Sequence, residues 1–470
     1  MVFSSLTFLV LFLPLTLALY FLRGNIGWRN GVLLAASLLF YGWSEPKWIL
    51  ALLLSTAVNY VCALQIRRGK NKRFFLALGV GGSLLLLFYC KYFNFFLEPL
   101  FAALGWSAPR VTMPIGISFF TFQIITYTVD VYRGKVEAQR SPVRLLLYVS
   151  CFPQLVAGPI VQYGDVAEAI GRRETTMEDF TLGMKRFASG LGKKVLLANL
   201  CGAAVEASPL AGGGAALSLA GAWYTVLMYA LQIFFDFSAY SDMAIGLGRI
   251  FGFRYLENFN APYLSTSVAE FWRRWHISLG TFFREYVYIP LGGNRMGRNR
   301  TILNLLLVWT LTGLWHGASW NFVLWGLYYG ILLILERFVF ARFHTPRLLG
   351  WFVTMALVLF GWMLFYYTNL SDGVTHILAM LGLTHTATGW GFIPLLDEMS
   401  LAVIRQYGLF SLIACVCVLP LSRWLRGYIP TEYGESAMNT LTTVLLTGVL
   451  LLSLLGLVGQ SYNPFIYFRF

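Results

Sequence analysis

Apolar runs recur along the whole chain, and short polar or basic segments separate them. A helix needs about 20 mostly apolar residues to cross the roughly 30 Å hydrocarbon core of a bilayer. The runs fall near residues 3–22, 30–44, 47–66, 74–96, 113–129, 145–163, 217–235, 302–318, 319–336, 351–368, 401–420 and 440–460. This pattern predicts an all-α, polytopic membrane protein with about 10–12 transmembrane or re-entrant helices.

Two of these runs contain residues that interrupt helical hydrogen bonding. Pro114 and Gly116 lie at the start of one run, and Pro153 and Gly158 lie within another. Inside hydrocarbon, such a break persists only where protein packs around it or where it lines a cavity. These segments are therefore predicted to be packed against other helices, and some to be re-entrant.

Composition agrees with the bilayer as the solvent. Of the 470 residues, 58% are hydrophobic and 12% are charged, whereas soluble domains average about 25% charged residues. No polar stretch is long enough for a separate water-soluble domain, so one membrane domain is predicted over residues 1–470. The six cysteines are scattered without a C-x-x-C pair, which indicates small buried apolar residues and predicts no metal site.

The chain carries a formal net charge of +14. Such an excess can indicate nucleic-acid binding, but these basic residues lie in short loops between apolar runs, as the positive-inside rule expects. The basic group in residues 67–73 falls between the third and fourth runs and marks that loop as cytoplasmic. Counting back three crossings predicts an extracytoplasmic N-terminus, and nucleic acid is not an expected partner.

The first candidate for chemistry is a histidine in a charge-free run. No Asp, Glu, Lys or Arg occurs over the 35 residues from Thr301 to Leu335. A single helix of that length would span about 52 Å, so the run must break. Gly313 and Gly317 bracket His316 at the predicted break. Desolvation keeps an imidazole neutral, which is the form of a general base. A histidine hydrogen-bonded to a neighbouring helix is the alternative, and the residues alone do not decide.

The basic segment 254–300 is predicted to be an amphipathic region on the cytoplasmic side. Ser267 and Glu270 have the spacing of a capping box, and the apolar residues after them recur every three or four positions, which predicts one helix carrying His276. Basic and polar residues here could hold the anionic part of a nucleotide-type donor, or could be attracted to anionic lipid headgroups. The predicted donor-binding residues are Arg273, Arg274, Asn294 and Arg295.

Two acidic residues, Asp236 and Asp242, fall in the apolar stretch 232–248. Charged groups at such positions are usually paired or functional. Arg249 is the predicted partner of one of them, and a structural ion pair and a catalytic role both stay open.

The terminal segment 461–470 is unusual for a chain end, since chain ends tend to be polar and to fray. Phe465–Phe470 is instead rich in aromatic residues around Tyr467. An end held inside a groove is one interpretation, and an aromatic belt at the membrane interface is the other.

Six short motifs in this order resemble the membrane-bound O-acyltransferase superfamily, and most of all its bacterial branch that acetylates extracytoplasmic polysaccharides such as alginate or peptidoglycan. The resemblance covers nearly the whole chain. The motifs are MPIGISF at 113–119, FPQLVAGPI at 152–160, DFSAYSD at 236–242, FWRRWHISL at 271–279, YIPLGGNR at 288–295 and LWHGASW at 314–320.

This resemblance implies a pore-like site within the membrane that an acyl donor reaches from the cytoplasm. It implies that His316 is the catalytic histidine of the superfamily and that His276 is its second functional position. The terminal segment is similar to a tail in several cell-surface members, in which a tyrosine receives the acyl group, so Tyr467 becomes the third predicted catalytic residue. The protein is then expected in the bacterial cytoplasmic (inner) membrane.

The function implied is transfer of an acyl group, above all acetyl from acetyl-CoA, for O-acetylation of an extracytoplasmic polysaccharide. The expected protein partner is an extracytoplasmic acetyltransferase or esterase-like protein that serves the polysaccharide acceptor. D-alanyl or longer-chain transfer by the same fold stays open. So do a transporter, which would also have broken helices at mid-membrane, and a scaffold subunit of an envelope-modifying complex.

Overall fold

The computed structural model describes residues 1–107, 109, 111–208, 218–343, 345–386, 389–421, 431–459 and 465–466, and of residues 386 and 431–438 only the backbone. The packing of Cα atoms divides the chain into two compact units. The first contains residues 1–191, 240–257 and 454–469, and the second contains residues 192–239 and 258–453. A single domain over 1–470 stays a prediction.

Helices dominate both units, and this confirms the all-α, polytopic membrane prediction. Six helical stretches among the described residues are long and apolar enough to cross a membrane. They are Ile49–Arg68, Lys72–Ala103, Trp320–Arg342, Arg347–Tyr366, Glu398–Cys417 and Asn439–Val458, and a shorter apolar helix covers Thr7–Phe21. The other predicted runs also form helices, except for 145–163, which is broken.

The first unit contains ten α-helices among its described residues and two π-helical turns, Thr7–Phe12 and Phe88–Tyr92. The α-helices are α1 (Leu13–Phe21), α2 (Ile26–Ser44), α3 (Ile49–Arg68), α4 (Lys72–Leu87), α5 (Phe93–Ala103), α6 (Ile117–Arg133), α7 (Pro142–Ser150), α8 (Phe152–Leu155), α9 (Tyr163–Gly171) and α10 (Met177–Gly192).

The two predicted breaks lie in this unit and pack against each other. Helix α6 begins only after Gly116, whose φ of +80° suits glycine. A methyl group on Gly116 would lie 3.0 Å from the carbonyl oxygen of Leu155 in α8. Run 145–163 breaks between α7 and α8, where the hydroxyl of Ser37 accepts the N–H of Phe152. Contact between backbones thus protects interruptions that hydrocarbon would not tolerate.

The ion pairs of this unit correct the predicted partner of Arg249. Its guanidinium lies 2.9 Å from the carboxylate of Asp179. Asp242 pairs instead with Arg186, at 2.6 Å, and Arg186 also reaches Glu257 at 2.6 Å. The prediction was wrong because it considered only residues close in sequence, whereas α10 brings two charged residues to this end of the helix that carries Asp242.

The second unit contains eight complete α-helices and a small β-hairpin among its described residues. Its α-helices are α11 (Asn199–Glu206), α13 (Val268–Arg274), α14 (Ile277–Phe283), α15 (Arg298–His316), α16 (Trp320–Phe338), α17 (Arg347–Tyr366), α18 (Leu370–Met380) and α19 (Glu398–Cys417). Helices α12 (Leu219–Ile250) and α20 (Thr431–Val458) belong partly to each unit. The antiparallel strands β1 (Leu383–Thr386) and β2 (Gly389–Phe392) form the hairpin. Its π-helical turns are Lys193–Ala198 and Arg284–Tyr288, and its short 3-10 helices are Pro262–Leu264 and Phe340–Arg342.

Helices α15 and α16 pack antiparallel with their backbones in contact. A methyl group added to Gly313 would overlap the carbonyl of Phe322, and one added to Gly326 would overlap the carbonyl of Trp309. Glycines at both crossing points allow this approach, as small residues commonly do between membrane helices. The pair therefore holds the end of α15 in a fixed position.

A buried ion pair joins the Lys193–Ala198 turn to α12 within the same unit. The ammonium of Lys194 lies 2.7 Å from the carboxylate of Asp236, and their side chains are 4% and 3% exposed. Asp236 therefore has a structural partner that the sequence did not indicate. Paired burial of this kind lowers the cost of removing both charges from water.

Candidate active site

His316 is the last residue of α15, and α16 begins at Trp320. The run therefore breaks where the sequence predicted, at Gly317, whose backbone is extended with a φ of −169°. Gly313 does not belong to the break, because it lies inside α15 at the crossing with α16. The break turns the chain back within the unit and leaves His316 at the helix end.

Aromatic rings surround the buried imidazole of His316. Its ring centroid lies 5.0 Å from that of Trp315, 5.0 Å from that of Trp325 and 5.1 Å from that of Phe365. All three rings meet the imidazole edge to face, which fixes its plane. Such a shell keeps bulk water away from a proton-transfer group and strengthens its electrostatic interactions.

Helix α13 begins where the sequence predicted. The hydroxyl of Ser267 accepts the N–H of Glu270 at 3.1 Å, as an N-cap does. The carboxylate of Glu270 accepts the N–H of Thr266 at 2.8 Å, one residue before the position that a standard capping box uses.

The prediction that a single amphipathic helix carries His276 is wrong. Helix α13 ends at Arg274 and α14 begins at Ile277. The loop before α13 forms hydrogen bonds with backbone groups that would bond to each other's neighbours within a continuous helix. Arg274 O accepts the N–H of Asn260 at 2.9 Å, and Asn258 O accepts the N–H of Ile277 at 3.0 Å. Because apolar spacing continues across the break, the sequence pattern could not reveal it.

The break places His276 in the left-handed backbone region, with φ +47° and ψ +55°. This conformation costs an L-residue other than glycine about 1–2 kcal/mol. Residues held in this way cluster at functional sites, where the surrounding structure enforces them. The imidazole of His276 is almost fully buried.

Hydrogen bonds assign the tautomer of His276. One side-chain atom of Asn258 lies 3.1 Å from Ser278 N, 2.9 Å from Ser278 Oγ and 3.2 Å from His276 Nδ1. The N–H of Ser278 can only donate, so this Asn258 atom is the amide oxygen. His276 Nδ1 therefore carries the proton, and Nε2 carries the lone pair. Burial lowers the pKa of His276 to about 3, so the ring is neutral near pH 7.

The indole of Trp315 contacts both histidines. Its ring centroid lies 5.7 Å from that of His276 and 5.0 Å from that of His316. Phe237, the neighbour of Asp236 in α12, packs on the imidazole of His276, with 4.7 Å between the two ring centroids. The tertiary structure thus brings together two histidines that are 40 positions apart in the sequence.

His276 and His316 line one cavity of about 160 Å³. Its wall is mainly aromatic and aliphatic, and Arg284 is the one residue with a fixed charge among the described residues that line it. The other lining residues are Trp272, Trp275, Leu279, Gly280, Phe283, Tyr288, Leu305, Val308, Trp309 and Thr312. Concave pockets with mainly apolar walls and a few polar groups are typical of small-molecule sites.

The four predicted donor-binding residues do not line this cavity, and their role stays a prediction. Arg273 is exposed, and the guanidinium of Arg274 lies 2.6 Å from the carboxylate of Glu270. Asn294 and Arg295 are exposed in the turn before α15. Arg284 lines the cavity, although the sequence showed it only as one of several basic residues in an amphipathic pattern.

A third buried histidine, His376, is hydrogen-bonded through both ring nitrogens. Its Nε2 lies 3.0 Å from the carbonyl oxygen of Ala222, so Nε2 donates, and its Nδ1 lies 3.0 Å from the hydroxyl of Tyr367. Both nitrogens are engaged by helix neighbours, which indicates a structural role.

Tyr467 lies outside the described residues. The two described residues of the terminal segment, Phe465 and Ile466, are buried. The ring of Phe465 lies 5.0 Å from that of Tyr240 in the first unit. A packed environment therefore immediately precedes the predicted acyl-carrying tyrosine.

Comparisons with known proteins agree with these observations. The profile of the membrane-bound O-acyltransferase family matches residues 5–372. The chain is 37% identical to the probable alginate O-acetylase of Pseudomonas putida, and the match covers 100% of both chains. It is 32% identical to the peptidoglycan O-acetyltransferase of Helicobacter pylori, covering 100% of this chain and 98% of that one. The teichoic acid D-alanyltransferase of Bacillus subtilis is 27% identical over 58% of this chain and 71% of its own.

The family profile covers both histidines of the cavity, and the matches to the two O-acetyl-transferring relatives extend over the whole chain. A family of acyltransferases implies an acyl donor as substrate, and the six apolar helices imply several membrane crossings. A transporter and a non-catalytic scaffold are no longer the simplest interpretations of the broken helices. The chain belongs to the membrane-bound O-acyltransferase family and is a multi-pass membrane O-acyltransferase.

Proposed function

We propose that this protein takes an acetyl group from cytoplasmic acetyl-CoA and passes it across the membrane for O-acetylation of an extracytoplasmic polysaccharide. The observation that carries the proposal is the meeting of His276 and His316 in one small, mainly apolar cavity. The two histidines are 40 positions apart in the sequence, and acyl transfer to a hydroxyl is assisted by a base within hydrogen-bond reach of that hydroxyl.

The size and charge of the cavity support a short, uncharged acyl group. Its volume of about 160 Å³ is similar to that of a cavity of about 150 Å³ that holds benzene. An acetyl thioester end fits such a space, whereas most of a long acyl chain does not. A D-alanyl group carries an ammonium, and none of the described lining residues is Asp or Glu. The names of the two full-length relatives also favour acetyl transfer.

His316 is the proposed general base. An imidazole nitrogen takes the proton of the acceptor hydroxyl as its oxygen forms a bond to the thioester carbon. The tetrahedral intermediate then collapses, the carbon–sulfur bond breaks, and the thiolate leaves and takes up a proton. His276, neutral and with its lone pair on Nε2, orients the donor or the acceptor.

The anionic part of acetyl-CoA is proposed to bind outside the cavity on basic residues of the second unit. Arg284 lines the cavity itself, and Arg273, Asn294 and Arg295 are exposed nearby in sequence. Guanidinium groups suit phosphate because they donate paired hydrogen bonds. Arg274 has its guanidinium beside Glu270 and is the weakest of these candidates.

Tyr467 is the proposed carrier of the acetyl group on the outer side. Its phenol oxygen would take the acetyl group as an ester, and an extracytoplasmic acetyltransferase or esterase-like partner would then move that group to the polysaccharide. This step rests on the similarity of segment 461–470 to tails of cell-surface members of the family. The protein is proposed to lie in the inner membrane with an extracytoplasmic N-terminus, and the basic loop at residues 67–73 supports this orientation.

Substitution of His316 tests the proposal. Cells that carry His316→Ala at wild-type membrane levels should lose nearly all ester-linked acetyl from their envelope polysaccharide, because the base is gone. His385→Ala removes an exposed histidine of β1 and is the matched control, with acetylation unchanged. Retention of most of the acetyl content in His316→Ala would refute the general-base role.

The carrier step has its own test. Tyr467→Phe keeps the aromatic ring and removes the hydroxyl that would hold the ester, so polysaccharide acetylation should fall to background. Tyr462→Phe removes a hydroxyl five positions earlier and should leave acetylation unchanged. Wild-type acetylation in both variants would exclude Tyr467 from the pathway and leave the role of His316 intact.

A further inference from the structure

Two polar side chains of the cavity have hydrogen atoms to donate and no acceptor in the described part of the chain. The indole Nε1 of Trp272 and the hydroxyl of Tyr288 are both buried there without a hydrogen-bond partner. Both residues line the cavity that contains His276 and His316. A buried polar group left without a partner costs about 1–3 kcal/mol, so such a pair is expected where a ligand completes it.

Two other neutral donors of the cavity already have acceptors. The hydroxyl of Thr312 donates to the carbonyl of Val308 at 2.8 Å, and His276 Nδ1 donates to Asn258 Oδ1 at 3.2 Å. Trp272 and Tyr288 differ from these two, because their buried donors have no acceptor among the described residues.

The indole of Trp272 is held rigidly by other rings. Its centroid lies 4.9 Å from that of Trp309, 5.4 Å from that of Trp325 and 4.7 Å from that of Tyr329. An indole N–H is only a hydrogen-bond donor, so it cannot act as a base. A fixed neutral donor of this kind stabilises developing negative charge without reorganising during the reaction.

Tyr288 ends the π-helical turn Arg284–Tyr288, and the following tight turn fixes it. Its carbonyl accepts the N–H of Gly293 at 2.9 Å, and Gly293 has a φ of +56°. A methyl group on Gly293 would lie 3.5 Å from the phenol ring. The glycine therefore lets the turn lie close against the ring of Tyr288, which lines the cavity.

We propose that Trp272 Nε1–H and Tyr288 Oη–H donate hydrogen bonds to the acyl carbonyl oxygen of the donor and hold the oxyanion that forms there. This inference rests on the proposed acyl transfer. When the acceptor oxygen bonds to the thioester carbon, the π electrons of the carbonyl move to its oxygen, and the hydroxyl proton goes to His316. The two donors stabilise that negative charge until the carbonyl re-forms and the thiolate departs.

The test removes each donor and keeps an aromatic side chain at both positions. Trp272→Phe and Tyr288→Phe are purified in detergent and assayed for thiol release from acetyl-CoA, with acetyl content of the polysaccharide measured in cells. Loss of one such donor typically lowers kcat by about 100-fold. We expect this fall in kcat with little change in KM for acetyl-CoA, because the bonds strengthen only as the oxyanion forms.

Matched controls separate this role from packing. Tyr286→Phe removes a hydroxyl from the same π-helical turn but outside the cavity lining, and Trp320→Phe removes an exposed indole N–H at the start of α16. Both should keep wild-type kcat. Incorporation of 4-aminophenylalanine at position 288 restores an N–H donor and should recover at least part of the lost rate, which a purely structural tyrosine would not predict.

The outcomes also distinguish the two proposals. Wild-type kcat in Trp272→Phe and Tyr288→Phe, together with an inactive His316→Ala, would overturn the oxyanion role and leave acyl transfer standing. Full activity of His316→Ala would overturn the acyl-transfer mechanism itself. Should Trp272→Phe fail to accumulate in the membrane, Tyr288→Phe and its amino-substituted counterpart decide the matter, because they alter one substituent of an intact ring.

Discussion

The side-chain oxygen of Asn258 accepts the Nδ1–H of His276 at 3.2 Å, across the break between α13 and α14. The same oxygen accepts the N–H of Ser278, so its identity and the tautomer of His276 are linked. One residue outside the cavity lining therefore decides which imidazole nitrogen carries the lone pair and holds the break that places the ring.

Replacement of Asn258 should affect both rate and stability. Asn258→Ala leaves the donors of His276 and Ser278 without their acceptor, which costs about 1–3 kcal/mol per buried group. We expect at least a roughly tenfold lower rate of acyl transfer and a lower melting temperature in detergent. Asn258→Asp keeps an acceptor oxygen and should retain more activity than Asn258→Ala. Equal rates in wild-type protein and Asn258→Ala would contradict the orienting role.

The Lys194–Asp236 pair should behave as a buried unit. Lys194→Met leaves an uncompensated carboxylate in the interior, and breaking such a pair costs about 3–5 kcal/mol. The double variant Lys194→Met with Asp236→Leu removes both charges and should recover most of the stability. Thermal unfolding in detergent measures both. A double variant no more stable than Lys194→Met would show that the pair is not the source of the effect.

The close crossing of α15 and α16 should tolerate no added atom. Gly326→Ala would overlap the carbonyl of Trp309 and force the helices apart. Overpacking typically costs about 1–3 kcal/mol, and the displaced end of α15 carries His316, so transfer activity should fall sharply. Gly31→Ala, in α2 with nothing within 4 Å of the added methyl, is the control and should be neutral or stabilising. Wild-type activity in both variants would show that transfer does not require the close approach of α15 and α16.

The buried His276 should make stability depend on pH. Its folded pKa of about 3 lies below the ordinary value of 6.5, so between these values the unfolded chain binds a proton that the folded chain does not. Stability is therefore complete above pH 6.5 and falls as the pH drops toward 3, by about 1.4 kcal/mol per pH unit for one such group. The decline of the melting temperature from pH 7 to pH 5 should be shallower in His276→Gln than in wild-type protein, while His385→Gln should match the wild type.

The apolar pattern was sufficient to predict the membrane class, most helices and the break beside His316. Hydrophobic period and length are local properties, and 35 uncharged residues cannot remain one membrane helix. The break at Gly116 was predictable for a similar reason, since proline and glycine interrupt backbone hydrogen bonding wherever the chain places them. The family resemblance rested on short motifs that can be compared directly, and the family match confirmed it.

The break at His276 was not predictable in this way, because its cause lies in the loop around Asn258, which takes over the backbone groups of α13 and α14. The partners of Asp236 and Asp242 were missed for the same reason, since each comes from a distant segment. The residues that line the cavity were also not predictable from local sequence. Spacing along one presumed helix indicated Arg273 and Arg274, whereas the fold placed Arg284, Trp272 and Tyr288 at the cavity.

The sequence by itself determined that this chain lies in a membrane and that the charge-free run must break, and by family resemblance it predicted His316 and His276 as catalytic residues. Only the tertiary structure decided that the two imidazoles share one cavity and that His276 holds its proton on Nδ1. It also decided that two residues of that cavity, Trp272 and Tyr288, have buried donors without acceptors in the described part of the chain. Local patterns record how each segment meets the solvent. Hydrogen-bond partners and cavity walls depend on contacts between segments far apart in the chain, which no local pattern encodes.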